Sequence, residues 1–293
     1  MISQTSKRVK PNWLKIKLNT SDDFIKTQNL MRSQKLNTVC EEARCPNIYE
    51  CWGRQTATIM ILGDICTRSC GFCSVKTGKP LNADSNEAVR TAEAVKSMEL
   101  KHVVITSVDR DDLKGDYGAE VWSETITQIK LLVPKCSIEV LTPDFRNYKP
   151  AYIKVFNASP DIFSHNIECV KRISKKVRPQ SSWDRSISLL RASVNYGLKT
   201  KTGMMVGLGE KDSEVLETMQ EVAGMGITIF NIGQYLQPTL KHLPVDRYVH
   251  PELFAMYKEK GLEMGFSVVE SGPLVRSSYH ADEQVRKLDK VNI

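Results

Sequence analysis

Six of the eight cysteines crowd into two short trios, and thiolate sulfur is the usual ligand of iron–sulfur clusters. The later trio, Cys66, Cys70 and Cys73, lies in ILGDICTRSCGFCSV with the spacing CxxxCxxC, directly after an apolar run. Three thiolates within eight residues can hold three irons of a cubane. The fourth iron is then free to bind substrate, much as a catalytic zinc keeps one open position. Zinc itself favours paired C-x2-C units and four closed ligands, whereas the first gap here is three. A bacterial ferredoxin uses C-x2-C-x2-C with a distant fourth cysteine. Three incidental buried thiols complete the alternatives. The earlier trio, Cys40, Cys45 and Cys51 in CEEARCPNIYECW, has gaps of four and five that match no common zinc motif. Its spacing leaves open a second cluster or a structural metal site without a catalytic role. Cys136 and Cys169 stand alone and read as buried structural thiols.

Something must hold these loops in place. Candidate strands are Thr58–Leu62, His102–Thr106, Ser137–Leu141, Ile162–His165, Thr202–Val206 and Thr228–Ile232, with a seventh at Phe266–Val269. They are nearly continuous in apolar character, as strands buried on both faces are. Helix patterns separate them: one capped by Ser85 or Asn86 with Ala88, Ala92 and Val95 on one face, then 117–132, 183–196, 212–225 and 251–264. Gly197, Gly224 or Gly226, and Gly265 fall where left-handed helix caps are expected. Repeated strand–helix units predict an α/β fold with a parallel sheet, and six of them suit a partial (β/α)6 TIM-like barrel rather than the full eightfold one. Function in such sheets gathers at the C-terminal ends of the strands. The chain divides into an N-terminal extension (1–55) carrying the earlier trio, the barrel (56–270), and a polar C-terminal tail (271–293).

Composition narrows the class further. The 41 Lys and Arg against 34 Asp and Glu give a net charge of +7, which suits an acidic partner. Two stretches concentrate it, Lys7–Lys17 and Lys171–Arg178, and either reads as a solvated face. No nucleic-acid motif accompanies them, so a nucleic-acid role is excluded. No apolar run is long enough to span a membrane, and the N-terminus lacks the apolar core of a secretory signal. Clustered cysteines without such a signal point to a cytosolic, reducing setting and away from a disulfide framework. The five histidines are scattered, with no metal pair at i, i+4, and neither a Ser-His-Asp triad nor a P-loop is present. GMMVGLGE (203–210) lacks the GxGxxG order of a dinucleotide site.

CxxxCxFC after the first barrel strand resembles the signature of the radical S-adenosylmethionine (SAM) superfamily. CEEAxCPNxxECW, with 14 residues between its last cysteine and Cys66, resembles the lipoyl synthase family. The likeness extends through KPNWL (10–14), TSVDRDD (106–112), EVLTPDF (139–145), HNIE (165–168), GMMVGLGE and RSSY (276–279).

The resemblance implies two [4Fe–4S] clusters and SAM as cofactors. Cys66, Cys70 and Cys73 would hold the SAM-cleaving cluster. Cys40, Cys45 and Cys51 would hold an auxiliary, sulfur-donating one, with Ser278, or else Ser277, as fourth ligand. Thr106, Ser107, Asn166, Glu168 and Arg178 are candidates for the methionine and ribose portions of SAM, and Phe72 for a backbone contact to adenine. The glycines of GMMVGLGE would pack near adenine or simply permit a turn. The reaction implied is sulfur insertion at C6 and C8 of a protein-bound octanoyl group, by a monomer. Implied partners are octanoylated lipoyl domains of 2-oxoacid dehydrogenase complexes or the glycine-cleavage carrier protein, a flavodoxin or ferredoxin reductant, and an iron–sulfur carrier protein. A biotin-synthase-like sulfur inserter and an iron–sulfur electron carrier remain as alternatives.

Overall fold

Seven parallel strands wrap around an interior cavity, because each carries apolar residues on both faces and each is followed by a segment with one apolar stripe. The computed structural model describes residues 10–16, 20–54, 56 and 58–291; the expected basic stretch at Lys7–Lys17 therefore lies partly outside the described residues. The extension comprises α1 (Asp22–Ser33), β1 (Asn37–Thr38), α2 (Val39–Glu42) and α3 (Ile48–Gly53). Ser21 caps α1 by accepting the Phe24 N–H at 3.3 Å. The barrel opens with β2 (Thr58–Ile61), followed by a small ladder of β3 (Ile65–Cys66) and β4 (Lys76–Thr77). It continues through α4 (Glu87–Ser97), β5 (His102–Ser107), α5 (Ala119–Leu132), β6 (Ser137–Leu141), α6 (Lys149–Asn157), β7 (Ile162–Ser164), α7 (Lys171–Val177) and α8 (Trp183–Asn195). It ends with β8 (Thr200–Val206), α9 (Asp212–Ala223), β9 (Ile229–Gln234), α10 (Pro251–Glu263), β10 (Val268–Gly272) and α11 (Ala281–Val291).

The sheet order is β1-β2-β5-β6-β7-β8-β9-β10, with β1 antiparallel to β2 and every other pairing parallel. β1 and β10 are edges, so the barrel stays open along one seam. Six strand–helix units plus a final strand make the expected partial (β/α)6 barrel. One hydrophobic cluster joins β2, β5 and β6 to α4 and α5, with Trp122, Ile126 and Ile129 at its centre. A second joins β8 and β9 to α9 and α10 through Val215, Met219, Phe254 and Tyr257.

Several details differ from the sequence reading. α6 and α7 were not anticipated, because α6 offers only a short apolar face and α7 is mostly basic. β10 starts at Val268 rather than Phe266, whose ring instead packs 5.2 Å from that of Phe230. Gly197, Gly226 and Gly265 take the left-handed cap, but Gly224 does not and sits at φ −62°. Asn86 occupies the cap position of α4, but its side chain accepts no backbone N–H there. The tail read as polar forms α11, whose Leu288 buries against Ile162, Ile229 and Val268 near the starts of β7, β9 and β10. That helix closes the N-terminal end of the barrel. Just above it the interior holds a buried ion pair, Lys201 Nζ to Glu139 at 2.9 Å, where a closed barrel would carry an apolar layer.

Candidate active site

β2 separates the two cysteine trios. Cys66, Cys70 and Cys73 follow its C-terminal end, while the backbone of its first residue, Thr58, lies by the Cys40 thiol and favours its thiolate. Four residues of strand set roughly 10 Å between the two ends. Strand-end reasoning accounts for the first trio only, since the second stands at the opposite, N-terminal end of β2, carried there by the extension.

The first loop is tied on every side. Its base is the β3–β4 ladder, closed by the Gly78 N–H on the Cys66 carbonyl at 3.0 Å. Gly71 donates to the Val177 carbonyl and accepts from the Leu243 N–H, both at 2.9 Å. A side chain at Gly71 would meet Leu243 at 2.9 Å, so this close approach requires glycine. His242 Nε2 lies 2.9 Å from the Cys73 carbonyl.

The fourth side of the second trio comes from the far end of the chain. After β10 the segment Val275–Tyr279 crosses the open seam. Asn231 of β9 donates to the Ser277 carbonyl at 2.8 Å, and Asn166 donates to Ser277 Oγ at 2.6 Å. Ser278 Oγ instead accepts from Thr58 Oγ1 at 2.6 Å, on the side of Cys40. Gly233 allows this crossing, because any side chain there would collide with the Val275 carbonyl. Outside, Tyr279 and His280 bond Glu50, and Arg54 bonds Glu283 at 2.7 Å, fastening the two terminal segments together.

One cavity of about 540 Å³ receives all of these groups. Its walls include both trios, Ser277, Ser278, Phe72, Thr106, Ser107, Asn166, Glu168 and Arg178, so every residue singled out from sequence faces the same space. Buried atoms in its wall have no protein partner: Asn166 Oδ1, Arg178 Nε, Asn231 Oδ1 and Thr142 Oγ1. Unpaired buried polar atoms are costly, and a polar ligand would satisfy them. The donor sets fit iron–sulfur clusters, with three soft thiols in each trio beside a cavity large enough for more than the clusters alone. Among the described residues, no three Cys, His, Asp or Glu side chains converge as ligands of a single ion would. Burial pushes the Cys40 and Cys51 thiols up to about 12 and Cys66 to about 11, and raises Cys45, Cys70 and Cys73. The trios are therefore neutral without metal and release protons when they bind it.

Sequence reasoning missed the polar frame behind the first trio. Arg68, between Cys66 and Cys70, is buried and bonds Asp111 at 2.8 Å and Asp144 at 2.6 Å, with Asp109 at 3.1 Å. Asp109 and Asp111 belong to the TSVDRDD segment (106–112) that runs on from the end of β5. Asp144 is followed by Phe145, Arg146 and Asn147, all of which have positive φ (43°, 54° and 59°). Each such residue costs roughly 1–2 kcal/mol, and such strain collects at functional sites. Glu168, another candidate, also sits at φ 67°. The signal that could have found Arg68 was an arginine placed between two cluster cysteines. Cys136 and Cys169 are buried, as expected.

A family model described as the radical SAM superfamily matches residues 60–222, and one described as the N-terminal domain of lipoyl synthase matches residues 2–45. Lipoyl synthase from Rubrobacter xylanophilus is 54% identical over 277 residues, covering 94% of this chain and 86% of its own. That from Shouchella clausii is 53% identical, covering 95% and 91%, and that from Bacteroides fragilis 51%, covering 96% and 97%. Among solved structures, Streptococcus suis SuiB bound to S-adenosylmethionine superposes with a TM-score of 0.60 at 14% identity, over 85% of this chain and 61% of that one. Methylornithine synthase gives 0.54 at 12% identity, over 96% and 95%. At such identities these two structures speak for the fold alone.

Proposed function

The chain belongs to the lipoyl synthase family of the radical SAM superfamily, and on that premise we propose how its residues divide the work. It is a sulfur-inserting enzyme that uses [4Fe–4S] clusters and SAM, acts on a protein substrate, and places two sulfur atoms at C6 and C8 of a protein-bound octanoyl group. The biotin-synthase-like and electron-carrier readings fall away with that membership.

Cys66, Cys70 and Cys73 hold the first cluster, and Cys40, Cys45, Cys51 and Ser278 the second. With clusters and SAM bound there, the first site would supply radical chemistry at the acyl chain and the second would supply the sulfur. Arg178, Asn166, Glu168, Thr106 and Ser107 orient the methionine and ribose portions of SAM, and the backbone at Phe72 meets adenine. Arg178 suits a carboxylate because its Nε is unpartnered while its other nitrogens are fixed on the Asn166 carbonyl and Ser186. Between the trios the wall offers Met60, Val104, Leu141 and Met205, an apolar lining that suits a hydrocarbon chain and keeps water from a reactive carbon. Arg276 lies close enough to Cys45 to favour its thiolate. Ser278 is preferred over Ser277 as ligand because its hydroxyl meets Thr58, whose backbone favours the Cys40 thiolate, whereas Ser277 is engaged by Asn166.

The protein substrate is an octanoylated lipoyl domain of a 2-oxoacid dehydrogenase complex or the glycine-cleavage carrier protein. A flavodoxin or ferredoxin delivers electrons, and an iron–sulfur carrier rebuilds the spent cluster. The net charge of +7 suits partners of acidic surface. The working form is a cytosolic monomer, and no helix among the described residues is long and apolar enough to cross a membrane. The observation that supports the reading is the shared cavity, which brings both cysteine trios to one space. Mass spectrometry of an octanoylated peptide incubated with SAM and reductant tests it. A gain of two sulfur atoms is expected; no gain from protein carrying about eight iron per chain overturns the reading.

A further inference from the structure

We infer that Arg68 is the positioning residue of the first cysteine trio, setting where the Cys66 and Cys70 sulfurs point through a buried cluster of ion pairs with Asp109, Asp111 and Asp144. The inference deepens the reading of this loop as the site of the first cluster and rests on it.

The apolar contacts of the loop lie at Cys66, Phe72 and Val75, while the stretch at Thr67 and the buried Arg68 is held by polar bonds. Arg68 makes a fork. Its Nε and Nη2 reach the two oxygens of Asp111 at 2.9 and 2.8 Å, and Nη2 also reaches Asp144 Oδ1 at 2.6 Å. Asp111 follows the end of β5 and Asp144 the end of β6, so one guanidinium ties the loop to two neighbouring strands. Bidentate pairing of this kind fixes direction as well as distance, which an ammonium cannot do. Beside it, Thr67 N–H and Oγ1 both donate to the Asp109 carbonyl, at 3.0 and 2.9 Å, and Thr67 Oγ1 accepts the Asp111 N–H at 3.0 Å. The result reaches sulfur directly: the backbone N–H groups of Arg68 and Asp109 each donate to Cys66 Sγ at 3.4 Å.

The frame is braced from outside. Asp144 is buried and accepts from Arg185 Nε at 3.0 Å and from the Arg146 N–H at 3.0 Å. The three left-handed residues after it are what turn its carboxylate inward. Arg146 faces Asp111 at 3.6 Å. Three arginines thus meet three aspartates, and the balance leaves the frame close to neutral beside a loop destined to carry thiolates. Strain in one loop, charge in a second and sulfur in a third form one connected chain.

The test begins with protein stripped of iron, so it does not depend on the loop's cofactor. Thiol alkylation followed by peptide mass spectrometry reads each cysteine separately, with Cys40, Cys45 and Cys51 as internal controls. Arg68→Gln should speed alkylation of Cys66 and Cys70 about tenfold and leave the second trio unchanged. Arg68→Lys should restore part of the protection. Asp144→Asn, which keeps the side-chain size, should show the same selectivity more weakly should Arg68→Gln fold poorly. In reconstituted protein, Arg68→Gln should alter the spectrum of the reduced first cluster on adding SAM while the second cluster keeps its signature. Equal acceleration of all six thiols, or none at Cys66 and Cys70, overturns the inference. Failure of the first trio to bind iron in the parent protein would instead overturn the functional reading.

Discussion

Thr58 stands between Cys40 and Ser278: its backbone favours the Cys40 thiolate, and its hydroxyl donates to the serine oxygen at 2.6 Å. Those residues lie 238 positions apart in the chain, yet the first residue of one barrel strand holds both. The second trio and Ser278 are therefore brought together on the barrel rather than within either terminal segment. Cys40, Cys45 and Cys51 come from α2, α3 and the turn between them, Ser278 comes from the strap across the seam, and β2 is the common support.

The two serines should behave differently. Ser277→Ala loses one bond from Asn166, a cost of about 1 kcal/mol, and should keep both clusters and most activity. Ser278→Ala should lose iron from the second trio. Ser278→Cys should keep that cluster but fail to insert sulfur, because a thiolate is a softer, tighter ligand for iron than an alkoxide. Iron analysis with mass spectrometry of the peptide product separates the three variants, and full sulfur insertion by Ser278→Cys would remove serine from the mechanism.

The trios should be separable by function. Cys66→Ser should halve the iron, to about four per chain, and abolish SAM cleavage. Cys40→Ser should also halve the iron but leave reductive SAM cleavage measurable, with no sulfur in the peptide. Quantifying methionine release beside peptide mass distinguishes them. Loss of SAM cleavage in Cys40→Ser at full occupancy of the first trio would contradict the division.

The first trio could be read from its own spacing, whereas the role of the second trio and of the serines came from the family resemblance and not from spacing. The barrel strands were legible for the same local reason, as apolar runs buried on both faces. What could not be read depends on contacts across long separations. Nothing near Arg68 reveals that Asp144, 76 positions away, will be its partner, and nothing near Thr58 reveals Ser278. α7 was hidden because its apolar burial rests on Ile173 and Val177, beside the buried but polar Ser174, too few for a periodic apolar pattern. α11 was hidden because its apolar side meets the barrel floor, which exists only once the strands have paired.

His165 should make the metal-free protein acid-sensitive. Burial holds its imidazole neutral and lowers its pKa to about 4, with Thr142 and Ser186 bonded to the two ring nitrogens at 2.8 and 2.9 Å. In the unfolded chain the ring titrates near 6.5, so below that pH the unfolded state takes up the extra proton. The stability it contributes is complete above about 6.5 and is lost as pH falls toward 4, roughly 3 kcal/mol in all. Asp109, raised to about 6 chiefly by burial, acts in the opposite sense over part of that range. The difference between the parent and His165→Gln is therefore the readout. Urea unfolding at pH 7 and pH 4.5 should show the stability gap shrinking by about 2–3 kcal/mol, and a gap independent of pH would show that the ring is not the titrating group.

The outer fastening of the termini should control the second cluster's lifetime rather than the fold's stability. Arg54 bonds Glu283 at 2.7 Å and His280 at 2.8 Å, while Glu50 accepts from Tyr279 at 3.1 Å, so the residues flanking Cys51 grip those just after Ser278. These groups are largely exposed, and such pairs contribute about 0–1 kcal/mol. Arg54→Ala should therefore move the melting temperature little. Opening this contact separates the serine from the cysteines without disturbing the barrel, because both flanking segments lie outside it. Iron should then leave the second trio several-fold faster in the presence of a chelator, with the first trio unaffected, and high salt should reproduce part of the effect in the parent protein by screening the same charges. Equal release from both trios would place the weak point in the barrel instead.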